Sequence, residues 1–144
     1  MTIRRLTVSD AENVQKIEQA CFSLPWSLTS ITHAFEAGWL FFGAFQGDEM
    51  MGFVGANEIG GEFFLGNLAV LPDFRRLGAG RALMEAMLAH AAAERFSFVT
   101  LEVRSQNTAA ITLYESLLFQ RQGLRPRFYE HPQDDAILMT RFFS

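Results

Sequence analysis

The segment N-L-A-V-L-P-D-F-R-R-L-G-A-G-R, running from Asn67 to Arg81, decides how the rest of the chain is read. Asn67 to Leu71 is apolar enough for a buried strand, and Arg75 to Gly80 makes a short turn. Leu83, Met84, Met87 and Leu88 then recur at helical spacing, so a helix starts near the end of the segment. This order places a helix N-terminus, with its dipole and its unpaired N–H groups, at the end of a strand, where a phosphate or pyrophosphate is favoured. Gly78 and Gly80 let the backbone approach a ligand without interference from a Cβ. A Walker A loop would need a Lys-Ser/Thr pair that is absent, and the glycine spacing does not fit a dinucleotide fingerprint. Taken alone, the turn fits either an anion cradle or an ordinary exposed turn carrying arginines.

The whole chain bounds the choice. Its 144 residues, 49% hydrophobic, suit a single domain over 1–144, with roughly 68 to 70% of the unfolded surface buried around one core. The sequence shows no signal-like N-terminus and no apolar run of membrane-spanning length, so a cytoplasmic protein with no membrane partner is expected. Cys21 is the lone cysteine, which excludes an intrachain disulfide and a cysteine-based metal cluster. His33, His90 and His131 lack metal-ligand spacing, and no metal is expected. A net charge of −4 argues against a basic nucleic-acid-binding surface. The charge is nonetheless uneven: residues 1 to 74 carry nine acids against Arg4, Arg5 and Lys16, whereas residues 75 to 127 carry eight arginines against four acids. An anion site is therefore local to the second half.

In chain order, a strand at Ile3 to Leu6 leads to a helix opened by Ser9 and Glu12 in capping-box spacing, with Val14, Ile17 and Cys21 on one side. Pro25 forces a loop that carries Trp26, and Ser27 caps a second helix ending near Gly38. Strands follow at Trp39 to Phe45, Met50 to Glu58 and Glu62 to Leu71, forming an antiparallel meander. Beyond the turn and its helix come a strand at Phe98 to Arg104 and a short helix at about Asn107 to Leu118, with Ile111, Tyr114 and Leu118 on one face. Strands near Gln120 to Arg127 and Ala136 to Phe143 close the chain. The order β-α-α-β-β-β-α-β-α-β-β predicts an α/β fold with a mixed sheet, in which the strands flanking the Arg-Gly turn and its helix run parallel. Along the strand at 98–104, Glu102 alternates with Leu101 and Val103, which puts its carboxylate on the face opposite those two core side chains.

The apolar strand, the Arg75 to Gly80 turn and the downstream N-x-x-A-x-x-L-Y-E of Asn107 to Glu115 together resemble the GNAT superfamily of acyl-CoA-dependent N-acetyltransferases. Nearly the whole chain is similar to its group of ribosomal-protein alanine N-acetyltransferases. The shared segments are I-E-Q-A at 17–20, L-P-W-S at 24–27, N-L-A-V at 67–70, L-E-V-R-S-Q-N at 101–107 and F-Y-E-H-P-Q-D-D-A-I-L-M at 128–139. Leu118 departs from the pattern, standing where the family usually has Gly before Phe119, and Gln106 lies in a stretch that is often smaller.

The resemblance implies acetyl-CoA as cosubstrate. Its pyrophosphate would lie on the turn and helix start, carried by Arg75, Arg76, Leu77, Gly78, Ala79, Gly80 and Arg81, and its pantetheine would pair with the backbone of Leu68, Ala69 and Val70. A splayed neighbouring strand would leave a gap for the acetyl carbonyl. Glu102 would be the general base and Tyr114 the general acid, with Asn107 meeting the pantetheine or capping its helix. Trp26, Phe128 and Tyr129 would form the acceptor wall. The implied reaction is direct acetylation of a protein N-terminal α-amine, an alanine of a small-subunit ribosomal protein, by a monomer or weak dimer. A small-molecule amine as acceptor, a non-catalytic acyl-CoA-binding module, and Glu58 or Glu62 as the base remain open at this point.

Overall fold

The structure, a computed structural model, describes residues 1–143. Its seven strands follow the order β1-β2-β3-β4-β5-β7-β6. The chain groups into two compact units, Met1–Asn57 with Gly66–His90, and Glu58–Leu65 with Ala91–Ser144. Each unit is assembled from two separate stretches of chain.

The first unit opens with β1 (Thr2–Arg5), α1 (Ala11–Cys21) and α2 (Leu28–Glu36). β2 (Leu40–Gln46) pairs antiparallel with β1, and with β3 (Glu49–Ile59) on its other side. Val14 and Ile17 of α1 and Ile31 of α2 meet Phe41, Phe53 and Ala69 in one apolar cluster. Full burial of each large apolar side chain in it stabilises by about 1.5–3 kcal/mol. Ser27 caps α2 as its sequence predicts, accepting the Ser30 N–H at 3.1 Å.

The start of α1 differs from the Ser9/Glu12 capping box expected. A 3₁₀ turn at Val8–Asp10 comes first, and Asp10 accepts the Thr7 N–H at 2.9 Å. Arg4 on β1 recruits that carboxylate with both guanidinium nitrogens, at 3.0 and 3.2 Å. These bonds hold Asp10 below the usual carboxylate range. A cation one strand away selects the capping acid here, which spacing within the helix alone does not reveal.

β4 (Glu62–Val70) contributes its last residues to the first unit, followed by α3 (Ala79–Ala93). β3 presses closely on this end of β4: a Cβ at Gly52 would stand 2.5 Å from the Ala69 carbonyl oxygen. The Leu71 N–H continues the contact to the Met51 carbonyl at 2.8 Å.

In the second unit, β5 (Phe98–Arg104) runs parallel to β4 through Phe63↔Val99 and Phe64↔Thr100, as the strand–helix–strand order predicts. β7 (Asp134–Phe142) pairs antiparallel with β5 and with β6 (Gln120–Tyr129). α4 (Thr108–Ser116) is capped by Asn107, whose side-chain oxygen accepts the Ala110 N–H at 3.2 Å.

The expected α4 face needs one correction. Ile111 and Tyr114 are buried, but Leu118 is 64% exposed, and Leu117 and Phe119 are buried in its place. Leu118 has φ +69°, the left-handed conformation of a residue just past a helix C-cap. The Phe119 N–H closes the helix onto the Tyr114 carbonyl at 3.0 Å. The chain therefore leaves the helical path at Leu118, and 3.6-residue periodicity stops applying one residue earlier.

Candidate active site

The Arg-Gly turn begins where β4 ends. A 3₁₀ turn at Pro72–Phe74 leads into Arg75, whose Nε donates to the Val70 carbonyl at 2.9 Å and whose Nη2 lies 3.8 Å from Cys21 Sγ. Arg75 thus staples the turn to the strand end, a role its place in the motif does not disclose. Arg76 (φ +65°) and Gly78 (φ +85°) then turn the backbone through two left-handed positions. Open space faces the missing Cβ of Gly78, and α3 starts at the next residue. No acidic residue occupies its first turn, while Arg76 and Arg81 are exposed at the same end.

A helix start exposes three to four N–H groups lacking an i−4 carbonyl and carries about half a positive charge. Gly78, Ala79 and Gly80 present such a start without a carboxylate to oppose an anion. The turn is therefore receptive to an anionic group. Just upstream, Leu68 and Val70 are half-buried and Ala69 is buried.

Cys21 itself is half-buried and donates weakly to the Val70 carbonyl at 3.5 Å. Burial pushes its thiol up from the ordinary range, which keeps it protonated and inert at neutral pH.

The titratable groups of interest in the second unit stand on β5 and α4. Leu101 and Val103 are buried, whereas Glu102 turns to the other face with its side chain 30% exposed. Its Oε1 lies 3.6 Å from Arg125 of β6. Its Oε2 is buried and has no hydrogen-bond partner among the described residues. A buried carboxylate oxygen without a donor is costly, and this one is open to a hydrogen bond from a group that arrives. Glu58 and Glu62, the alternative bases, are both exposed.

Tyr114 is buried on α4, its ring 5.7 Å from that of Phe119. Burial, with a smaller contribution from Tyr129, pushes its phenol far above the ordinary value, so it holds its proton throughout the working pH range. Tyr129 is itself raised by burial and by the Glu102 charge, against an opposing pull from Arg104.

Arg104, two residues beyond Glu102 on the same strand face, has its guanidinium 4.4 Å from the Tyr129 ring centre. It also donates to the carbonyls of Pro132 (2.7 Å) and Glu130 (3.2 Å). One side chain thereby pins both the aromatic wall and the β6–β7 turn. Phe128 stands edge-on to Tyr129 at 5.0 Å and is 47% exposed. On the far side of the turn, Asp134 accepts from the Ser105 hydroxyl and the Gln106 N–H. Gln106, a departure from the expected pattern, thus serves the clamp through its backbone.

Trp26, from the first unit, packs edge-to-face on Trp39 at 5.2 Å. Its backbone N–H donates to Glu18 at 2.9 Å, and the same carboxylate accepts from Asn67 at 2.6 Å. Sequence reasoning passed over Glu18, although positions 14, 17, 18 and 21 fall on one helix stripe and a glutamate at the third of them signals a buried carboxylate. No group of three His, Cys, Asp or Glu side chains among the described residues could hold a metal ion.

Comparison with known proteins marks the chain as an acetyl-CoA-dependent N-acetyltransferase. Residues 11–119 match the family model described as "Acetyltransferase (GNAT) family", and the chain belongs to that family. It is 35% identical to the [ribosomal protein bS18]-alanine N-acetyltransferase of Escherichia coli K12 over 141 residues, covering 96% of this chain and 95% of that one. It is 33% identical to the N-alpha-acetyltransferase RimI of Mycobacterium tuberculosis, over 98% of this chain and 92% of that one. The crystal structure of the Escherichia coli ribosomal-protein-S18-alanine N-acetyltransferase superposes with a TM-score of 0.93 at 34% identity, covering 99% of this chain and 94% of that one. The fold expected from the sequence is thus the fold observed.

Proposed function

We propose that this enzyme acetylates the N-terminal α-amine of a protein, an alanine of the small-subunit ribosomal protein bS18, in the cytoplasm. The whole of 1–144 would serve as one catalytic domain, since neither unit is a continuous stretch of chain. Near-complete coverage at 35% identity by an enzyme named for that acceptor supports the choice over a small-molecule amine. An α-amine, with a pKa of about 8 against about 10.4 for lysine, also demands less of a base.

Acetyl-CoA supplies the activated acetyl group as a thioester. In this reading Arg76, Gly78, Ala79, Gly80 and Arg81 hold its pyrophosphate, with Arg75 keeping the turn in place and Leu77 contributing only backbone. Leu68, Ala69 and Val70 offer main-chain groups to the pantetheine, and a Val70 N–H would polarise the carbonyl. Glu102 accepts the proton of the attacking amine, and Tyr114 donates one to the departing thiolate. Trp26, Phe128 and Tyr129 flank the acceptor, while Asn107 caps α4 and orients Tyr114. In this reading transfer is direct, with the amine attacking the thioester and no acyl-enzyme formed.

The observation that carries the reading is the buried, donorless Oε2 of Glu102 on a strand face otherwise held by Arg104 and Arg125. Glu102→Gln removes the base while keeping the shape. It should lower kcat at neutral pH by about 100-fold or more with a bS18-like Ala peptide, leaving acetyl-CoA affinity by calorimetry unchanged. An unchanged rate would refute the base assignment, and failure of every Ala-ended peptide alongside turnover of free amines would refute the acceptor.

A further inference from the structure

Glu18 is only 1% exposed, yet the proposed chemistry gives it no part. Its two carboxylate oxygens are divided between two structural elements. Oε1 takes the backbone N–H of Trp26 in the α1–α2 loop, and Oε2 takes the Asn67 amide of β4. Asn67 immediately precedes Leu68 to Val70. A second tie runs parallel to the first: the Trp26 ring rests on Trp39, and a Cβ at Gly66 would stand 2.9 Å from the Trp39 ring. The space around Glu18, Trp26, Trp39 and Asn67 has no room for a water molecule. With Glu18 in place, no water competes with its carboxylate for either donor.

We infer that Glu18 is a positioning residue for the acceptor. Its carboxylate fixes the Trp26 peptide at a set distance from β4, and so fixes where the Trp26 wall stands beside the acetyl-bearing strand. A carboxylate suits the task because an ionised group accepts from two N–H donors at once without offering a donor of its own. Charge-assisted bonds of this kind hold a loop more tightly than a contact between apolar groups could. Burial pushes the Glu18 pKa up, while the Trp26 and Asn67 donors pull it back toward the ionised form. The inference rests on the reading of Trp26 as part of the acceptor wall, and the test separates the two.

Initial rates are measured on the full chain with an Ala-ended peptide at saturating acetyl-CoA, together with acetyl-CoA affinity by calorimetry and thermal melting. Glu18→Ala should raise the acceptor KM about tenfold, because the Trp26 loop loses its hold on β4, with kcat and acetyl-CoA affinity changed less than about threefold. Glu18→Gln should rescue most of that rise, because its oxygen still serves Trp26 and the Asn67 amide can turn to accept from the new amide. Trp26→Ala should raise the acceptor KM too. The Glu18→Ala/Trp26→Ala double variant should be no worse than Trp26→Ala alone, since Glu18 acts through Trp26.

A Trp26 effect with a silent Glu18→Ala overturns the positioning role alone, as does full additivity in the double variant. A silent Trp26→Ala overturns the wall and the positioning role together. Should Glu18→Ala fail to fold, Asn67→Ala removes one arm of the tie and should raise the acceptor KM about threefold, with a silent result again overturning the role.

Discussion

Tyr114→Phe removes one oxygen from a side chain that is otherwise fully packed, which makes it the sharpest probe of the acid assignment. The ring keeps its tilted contact with Phe119, and Ile111 and Leu117 remain buried on the same turn of chain. Stability at pH 7 should therefore change by less than about 1 kcal/mol. Turnover should not be so tolerant: loss of a positioned proton donor lowers kcat by roughly 10²- to 10⁴-fold. The two effects are measured apart, by thermal melting and by the rate of CoA thiol release with an Ala-ended peptide. A folded Tyr114→Phe enzyme with wild-type kcat would refute the role.

The raised phenol adds a second, independent reading. In the unfolded chain tyrosine titrates near pH 10, whereas in the folded state burial moves Tyr114 well above that value. The folded protein therefore holds this proton more tightly than the unfolded chain. The stability it represents is intact below about pH 10 and is lost as pH rises from there toward the folded value. One such group costs about 1 kcal/mol between pH 10 and 11. Denaturant unfolding across that interval should show a shallower loss in Tyr114→Phe than in the wild type. By the same reasoning the pH–rate profile should have no falling limb near pH 10 that Tyr114→Phe abolishes. Finding one would mean that the phenol titrates at its ordinary value.

Two further perturbations test the parts that hold the site. Arg104→Lys keeps the charge but loses the planar fork that reaches two carbonyls and covers Tyr129. It should raise the acceptor KM by about three- to tenfold with acetyl-CoA affinity unchanged, and equal kinetics in titrations against peptide would dismiss the clamp. Leu118→Gly relieves a left-handed backbone that costs an L-residue about 1–2 kcal/mol. The greater unfolded-state freedom of glycine and a few lost contacts return most of that, leaving a net gain near 0.5 kcal/mol and a Tm rise of about 1–2 °C. Leu118→Ala keeps the strain and should not gain, so melting curves in which Ala outperforms Gly would refute the backbone explanation.

The backbone half of the site was legible because backbone chemistry is written in residue types with few other uses. Gly78 at φ +85° and the helix start after it can be read from glycine spacing and the apolar run that follows. The same holds for Ser27 and Asn107, which cap their helices as small polar residues do. The facing of β5 followed from alternation alone, which placed Glu102 opposite Leu101 and Val103. What alternation could not supply is the identity of the partner across the sheet. Arg125 reaches Glu102 from β6, and that pairing depends on a register shift between Arg121 and Gly123 that no local pattern announces.

The contacts that the sequence did not disclose share a physical cause. Arg75, Arg104 and Glu18 each bond to backbone groups of a distant segment: the Val70 carbonyl, the Glu130 and Pro132 carbonyls, and the Trp26 N–H. Backbone groups have no sequence signature, so a side chain that serves them looks like any other charged residue. The informative mark is a conflict between residue type and position. Glu18 occupies an apolar stripe, and Leu118 occupies a glycine's conformation. A buried charge or a left-handed leucine costs free energy that a surface alternative would not, and it persists only where other contacts hold it. At Leu118 nothing in the structure supplies a gain beyond the helix stop itself. At Glu18 both oxygens are satisfied, and the two elements they join are those assigned to acceptor and cosubstrate, so its buried charge has a compensation that the left-handed Leu118 lacks.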